Sequence, residues 1–234
     1  MMARVAAAVV TVMLWATAGG AERAAGATEV LAIGSDEAHG STTFKDGSTH
    51  AHRVERAGDT HHSSKEKKTG RSSIYFDGRG GHLSVKDGPA FSFGTDDFVL
   101  EFWLKPEGAG RRFICGQAPR DGASVRSSIG AVIEADGRLR AGAQSTWTTH
   151  LLYAPKETYA DGEWHHVSFR REGDVLRLLV DDKEHARARI GQEAMNDSVE
   201  PFSIGRTGRF PTDPYRGYLD KFAIIRRPRR VWRF

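Results

Sequence analysis

The sequence has little cysteine and no apolar run long enough to cross a bilayer. Its one cysteine, Cys115, excludes an intramolecular disulfide, so stability must come from packing. No base lies near Cys115 in the sequence, which favours a small buried hydrophobe over a reactive thiol. With 234 residues, 39% of them hydrophobic, the chain can still bury one good core.

Motifs of common catalytic sites are also missing. The chain has no Gly-x-Ser-x-Gly elbow, no phosphate-binding loop and no zinc-protease signature. These absences disfavour an enzyme built on one of those motifs.

The first residues have the pattern of a secretory signal peptide. One positive charge in residues 1–4 precedes an almost uninterrupted apolar run over residues 5–16, and small residues follow at 16–21. A membrane anchor needs about 20 apolar residues, and this run is shorter. We therefore expect a signal peptide over residues 1–21, a flexible lead-in over 22–27, a domain over 28–234, a secreted protein and no transmembrane segment.

The clearest structural signal is a β-hairpin over residues 161–182. Residues 164–170 are rich in aromatic and β-branched side chains, residues 171–174 form a polar turn with glycine, and residues 175–180 are a second apolar run. Within each run apolar residues alternate, so each strand can bury one side.

Other short apolar runs follow at the spacing of a β-sandwich, and no helix of convincing length is predicted. A polar loop with an edge strand at 50–54 is expected over residues 45–69, and residues 73–76 and 82–85 are expected to form a hairpin. The remaining predicted strands cover residues 30–33, 41–44, 97–104, 112–117, 128–134, 139–143, 146–152, 201–205 and 217–225. This pattern predicts an all-β fold of two packed antiparallel sheets.

Four segments resemble the laminin G-like, concanavalin A-like jelly-roll superfamily. They are the hairpin of residues 161–181, the segments 73–85 and 97–106, and the closing pair 204–205 with 217–222. The resemblance implies an antiparallel two-sheet jelly-roll over residues 28–234, with a C-terminal tail that packs on the sandwich. Asp182 departs from the pattern, since the family usually has glycine in this turn, but Asp tolerates left-handed backbone angles.

The resemblance also suggests a calcium site. Asp220 shares parity with Tyr218, Phe222 and Ile224, so its carboxylate is expected on the mainly apolar side of the last strand. In resembling sandwiches the Asp at this position helps to hold a structural calcium ion, and Asp36 matches an acidic position in the first loop. The alternative is an Asp220 that is paired with arginine or a turn amide.

Two other groups of residues are candidates for binding. Trp147, Tyr153, Tyr159 and Trp164 could form a sugar platform, with Trp147 in the most polar context and Trp164 expected in the core. Arginines of the C-terminal tail could meet an acidic polysaccharide, or could simply be a solvated edge; they are Arg226, Arg227, Arg229 and Arg230.

Two further sites are considered and disfavoured. A metal site is considered because imidazole is a common metal ligand and the chain has histidines at 50, 52, 61 and 62. No carboxylate or cysteine completes a recognisable ligand set with them. Related glucanases use Glu-x-Asp-x-x-Glu on one strand. Here Glu134 and Asp136 are followed by Leu139, and Asp136 with Gly137 predicts a turn.

The sequence therefore predicts a secreted, non-catalytic domain that binds a glycan or an extracellular protein, with no specific nucleic-acid partner. A second hypothesis is a structural or assembly component that docks through its basic tail. A divergent glycoside hydrolase is the third.

Overall fold

The structure, a computed structural model, describes residues 26–117, 128–154, 159, 161–207 and 212–229. The predicted signal peptide and Arg230 lie outside these residues. No helix in the described ranges is long and apolar enough to cross a membrane.

The described residues form fifteen strands and one short 3₁₀ turn at Pro89–Phe91. The strands, in chain order, are β1 (Thr28–Ile33), β2 (Val54–Ala57), β3 (Thr60–Ser63), β4 (Ser73–Asp77), β5 (His82–Val85), β6 (Asp97–Pro106), β7 (Arg112–Gly116), β8 (Ile129–Ile133), β9 (Leu139–Gln144), β10 (Thr149–Tyr153), β11 (His165–Glu172), β12 (Val175–Val180), β13 (Lys183–Arg189), β14 (Phe202–Ile204) and β15 (Arg216–Arg227).

These strands make two antiparallel sheets packed face to face, which confirms the predicted jelly-roll sandwich. The larger sheet has eight strands in the order β13-β12-β11-β6-β15-β4-β3, and β1 also pairs with β15. The smaller sheet has seven strands in the order β10-β9-β8-β7-β14-β5-β2. One continuous core of apolar side chains lies between the sheets.

β6 lies between β11 and β15 in the larger sheet and packs one face against the core. Its even-numbered residues are buried and its odd-numbered residues are partly exposed over the whole strand. Phe98, Leu100, Phe102 and Leu104 therefore enter the core, as predicted. Cys115 is also fully buried and burial raises the pKa of its thiol strongly, which confirms that it is a small core residue.

The central hairpin forms as predicted, with a shorter turn. β11 continues to Glu172, so only Gly173 and Asp174 connect it to β12. Arg171, predicted to be in the turn, is instead 1% exposed on the core side of β11. Its guanidinium donates hydrogen bonds to four backbone carbonyls, and this explains how it is buried; the carbonyls belong to Gly94, Gly173, Gly191 and Glu193.

Several strand predictions are wrong. β4 and β5 do not form a hairpin, because β4 pairs with β3 and β15 in the larger sheet while β5 pairs with β2 and β14 in the smaller one. Residues 41–44 form no strand. The region 45–69 contains two short strands, β2 and β3, rather than one. The polar edge strand β13 was not predicted, because its sequence carries no β-branched residue.

Candidate binding surface

Trp147 is the most exposed large apolar side chain of the described residues, at 88%. It lies in the turn between β9 and β10. The hydroxyl of Ser145 accepts hydrogen bonds from the backbone N–H groups of Trp147 at 3.3 Å and Thr148 at 3.0 Å. Ser145 is itself 1% exposed, so a buried residue fixes a turn that presents the indole ring to solvent.

Two further apolar side chains are exposed, one within β10 and one at the same end of the smaller sheet as Trp147. Leu151 is 44% exposed on β10, and Val199 is 71% exposed three residues before β14 begins. Since β9 ends and β14 begins at this end, the turn with Trp147 and the approach to β14 lie along one edge of the sandwich. We call it the Trp147 end. Sequence reasoning missed both residues, and the exposure of Leu151 depends on the position of β10 at the sheet edge.

The other three aromatics of the predicted platform are not free to bind a sugar in the same way. Tyr159 is 2% exposed and belongs to the core. Tyr153 is half-buried, with the guanidinium carbon of Arg138 5.1 Å from its ring centroid. Trp164, expected in the core, is half-buried immediately before β11. Trp147 therefore offers the open aromatic ring.

Two arginines of the basic tail are held by carboxylates of this same chain. Arg226 Nε donates to Asp96 at 2.7 Å, and Arg229 Nε donates to Asp97 at 3.0 Å. The backbone N–H of Arg229 also donates to Asp96, at 3.0 Å. Arg227 is exposed. Docking to an acidic polysaccharide through this tail stays a prediction, but Arg226 and Arg229 are neutralised in the structure.

Asp220 is fully buried and its carboxylate faces hydrogen-bond donors. One oxygen accepts from the hydroxyl of Ser35, and the other accepts from the backbone N–H groups of Lys68 at 3.1 Å and Thr69 at 3.0 Å. Burial raises the pKa of Asp220, and these hydrogen bonds lower it only in part.

Asp36 lies nearby and also binds donors. Its carboxylate accepts from the backbone N–H of Arg71 at 2.8 Å and from the Lys221 ammonium at 3.2 Å. Calcium requires six to eight oxygen ligands, whereas N–H and O–H donors surround both carboxylates. This arrangement fits an Asp220 that is paired with backbone amides of a turn better than an Asp220 that binds calcium. The calcium site stays a prediction.

Asp220 does not lie on the face that the sequence predicted. A β-bulge in β15 at Lys221, where φ is +50°, shifts the register between Asp220 and Ala223. Leu219 before the bulge and Phe222 after it both point into the core. Asp220 is therefore on the outer face of the larger sheet, where the backbone of the loop before β4 covers it.

The histidines do not assemble a ligand set. His50 and His52 stack on each other with ring centroids 5.3 Å apart, and the buried His62 stacks on Phe44. Among the described residues, no group of three or more His, Cys, Asp or Glu side chains is arranged to hold a metal ion.

His165 and His166 point to opposite faces of β11, as predicted for successive strand residues. His165 lies between two carboxylates, with Nδ1 2.8 Å from Asp181 and Nε2 3.1 Å from Asp161. Burial lowers the pKa of His165, but the hydrogen bonds and charges of Asp181 and Asp161 outweigh it, so the net pKa is raised. His166 instead stacks on Trp103, with a centroid distance of 4.9 Å.

The carboxylates of the glucanase-like segment are held in ion pairs. Glu134 contacts both Arg111 and Arg140, and Asp136 binds Arg138 at 2.6 Å. Gly137 has φ of +82°, and its N–H donates to the Glu134 carbonyl, so this segment is a turn as predicted. Glu134 and Asp136 therefore do not line one strand as a catalytic pair would.

These features define a two-sheet jelly-roll with an open aromatic residue at one end. The family profile of the concanavalin A-like lectin/glucanases superfamily, of laminin G type, matches residues 77–231, more than half of the chain. The chain belongs to this family, as its sequence motifs predicted. No curated protein matches it in sequence.

Solved structures with the same fold include binding domains of bacterial toxins. The binding domain of Paraclostridial Mosquitocidal Protein 1 has a TM-score of 0.65 and 14% identity, over 87% of this chain and 50% of that chain. The binding domain of Botulinum Neurotoxin DC in complex with SialylT has a TM-score of 0.62 and 10% identity, over 84% of this chain and 47% of that chain. The chain thus spans about half the length of these domains, and the likeness shows the shared fold.

Proposed function

We propose that this protein is a secreted, non-catalytic domain that binds carbohydrate at the Trp147 end of its smaller sheet. The observation that carries the proposal is the 88% exposure of Trp147 on a turn fixed by the buried Ser145. The backbone of this turn is held in place by Ser145, and the exposed indole offers an open ring face on which a sugar ring can stack. The signal-like residues 1–21 support secretion.

The comparisons support the same proposal. One similar domain was solved with SialylT, and another structure with the fold comes from work on botulinum neurotoxin type C, whose cell entry depends on two ganglioside molecules. The ion-paired Glu134 and Asp136 support a domain without the glucanase reaction.

A glycan array probed with the mature chain tests the proposal. We expect binding to a limited set of glycans, and Trp147→Ala should weaken it by about tenfold or more, because stacking on an aromatic ring contributes about 1.4 kcal/mol or more. Lys183→Ala, at an exposed position of β13 in the larger sheet, is the control and should leave binding unchanged. Binding that is equal in the wild type and Trp147→Ala would contradict the site, and hydrolysis of a bound polysaccharide would contradict the absence of catalysis.

A further inference from the structure

Three arginines lie side by side on the larger sheet. In the strand register, Arg170 of β11 pairs with Arg177 of β12, and Arg177 pairs with Arg187 of β13. Residues directly opposite each other on antiparallel strands have Cβ atoms about 5 Å apart, and like charges in such positions repel each other. We call these three residues the arginine row. Contact with solvent favours polar residues at such positions, but it does not favour three residues of one sign.

The arginine row lies on the outer face of the sandwich. The residues that alternate with the arginines along the three strands point into the core or pack against it; they are Phe169, Leu176, Leu178, Ala186 and Ala188. The side chains of Arg170 and Arg177 are 25% exposed, and that of Arg187 is 67% exposed. The row is therefore accessible from solvent.

Two glutamates of the same face neutralise the arginine row only in part. Glu172 oxygens lie 3.2 Å from Arg170 Nε and 3.0 Å from Arg177 Nε, and Glu184 oxygens lie 2.5 Å from Arg177 Nη1 and 2.5 Å from Arg187 Nε. Three guanidinium groups offer about 15 N–H donors, whereas two carboxylates offer about eight acceptor positions. The row therefore has positive charge and N–H groups in excess of its carboxylate partners.

A fourth arginine extends the positive charge along the edge strand. Arg189 follows Arg187 on the same face of β13 and is exposed. It has no carboxylate partner among the residues that the structure describes. These four arginines, with Glu172 and Glu184, give this part of the sheet a net charge of +2, from +4 and −2.

Apolar residues continue the arginine row toward the centre of the sheet. Arg170 pairs with Val99 of β6, and Val99 pairs with Ile225 of β15. Both apolar side chains are half-buried, so part of each faces solvent. The five residues extend over about 19 Å, at about 4.8 Å between strands. One end of this line is apolar and the other end is cationic.

This combination fits a protein partner better than an acidic polysaccharide. A guanidinium group can bind a carboxylate through two parallel hydrogen bonds, and arginine is enriched in protein interfaces. The half-buried Val99 and Ile225 gain from contact with apolar side chains, which a highly charged polysaccharide does not provide. A second copy of this chain that presents the same face is unsuitable, because its arginine row carries the same charge.

We propose that the arginine row, with Val99 and Ile225, is a docking surface for an acidic, amphipathic segment of another protein. Glutamates or aspartates of that segment bind the guanidinium groups, and its apolar residues cover Val99 and Ile225. The surface lies on the larger sheet, whereas Trp147 lies in a turn of the smaller sheet. The inference is therefore independent of carbohydrate binding at Trp147.

The test uses a synthetic peptide of leucine and glutamate with helical spacing, which places the leucines on one side. About 20 residues suffice to span the surface, since a helix rises about 1.5 Å per residue. Calorimetry at about 0.15 M salt measures its affinity for the full chain. We expect the double variant Arg170→Gln, Arg187→Gln to weaken binding by about tenfold or more. Arg53→Gln is the matched control, because Arg53 is an exposed arginine outside the surface.

Melting temperatures separate docking from a merely structural role. Glu184 keeps its contact with Arg177 when Arg187 is replaced, so we expect Arg187→Gln to leave the melting temperature nearly unchanged. Peptide binding should nevertheless become weaker in this variant. A clear loss of stability with undiminished peptide binding would show that the arginine row only stabilises the sheet, and would overturn the proposal.

Other probes decide the class of partner. A peptide with the same composition in scrambled order should bind more weakly, and equal binding of the two peptides would overturn the amphipathic partner. No binding of the ordered peptide, or equal binding by the wild type and the double variant, would overturn the docking surface. Heparin and phosphatidylserine vesicles are tested in parallel. If only these probes bind, and binding requires the arginine row, the partner is an acidic polysaccharide or a membrane and the protein partner is overturned.

Discussion

At the scale of single residues, Asp220 is the most informative polar group of the fold. Its carboxylate accepts hydrogen bonds from the backbone N–H groups of Lys68 and Thr69 and from the hydroxyl of Ser35. Asp220→Ala would leave these N–H groups without an acceptor, so we expect the free energy of unfolding to fall by about 2 to 4 kcal/mol. Asp220→Asn keeps one accepting oxygen and should cost much less. Denaturation in urea measures both variants.

The same pair of variants separates hydrogen bonding from calcium binding. A calcium ion at Asp220 and Asp36 would raise the melting temperature of the wild type, and both EDTA and Asp220→Asn would remove that gain. Because donors surround both carboxylates, we expect no change in melting temperature with calcium or EDTA. A calcium-dependent rise that is absent in Asp220→Asn would establish the ion instead.

Predictions for single residues were correct where the conformation or burial of a residue depends on its own side chain. Asp182 was predicted to tolerate a left-handed turn, and it has φ of +63°. Burial of Asp220 was also predicted, but on the core face of the strand, whereas the residue lies on the outer face. Alternation along a strand predicts the face of a residue only while the strand is regular. The bulge at Lys221 is stabilised by pairing with β6, and no local sequence signal reports that contact.

At the scale of elements, the hairpin of β11 and β12 carries a bridge that should respond to pH. Protonated His165 can donate to Asp181 and Asp161 together, and its edge packs on Tyr159, which also approaches His185. The pKa of His165 is raised above its usual 6.5. The stabilisation is therefore complete below about pH 6.5 and is lost as pH rises through the raised pKa, with a size of about 1 kcal/mol or less.

Melting temperatures from pH 5 to 9 test this dependence. Asp181→Asn keeps a residue that accepts the left-handed turn, where φ is +51°, and should flatten the profile around neutral pH. His61→Asn is the control, because His61 faces the single exposed carboxylate of Asp59. A wild-type profile without a slope in this range would show that the bridge does not stabilise the fold.

Element prediction failed where two strands next to each other in sequence belong to different sheets. β4 and β5 are separated by a glycine-rich turn, which is equally suitable for a hairpin and for a crossing between sheets. The choice depends on partners far away in the sequence, namely β15 for β4 and β14 for β5. β6, β11 and β12 were predicted well because their alternation is strong and local.

At the scale of the whole molecule, the basic tail ties the end of β15 to the start of β6. Arg229→Ala removes hydrogen bonds to Asp97 and Gln192, so we expect a loss of about 1 to 2 kcal/mol in unfolding free energy without a change in heparin binding. Arg227→Ala, at an exposed position, should leave stability unchanged. Urea denaturation and heparin affinity are measured on both variants. Weaker heparin binding by Arg229→Ala at unchanged stability would contradict a structural role.

The position of β15 has a consequence for folding during synthesis on the ribosome. β15 is the last strand along the described chain, yet it lies inside the larger sheet and pairs with β1, β4 and β6. A ribosome releases these three partners long before residues 216–227, so their backbone edges stay open until then. The larger sheet therefore cannot be completed until residues 216–227 have emerged, and until then the open edges of its strands favour aggregation.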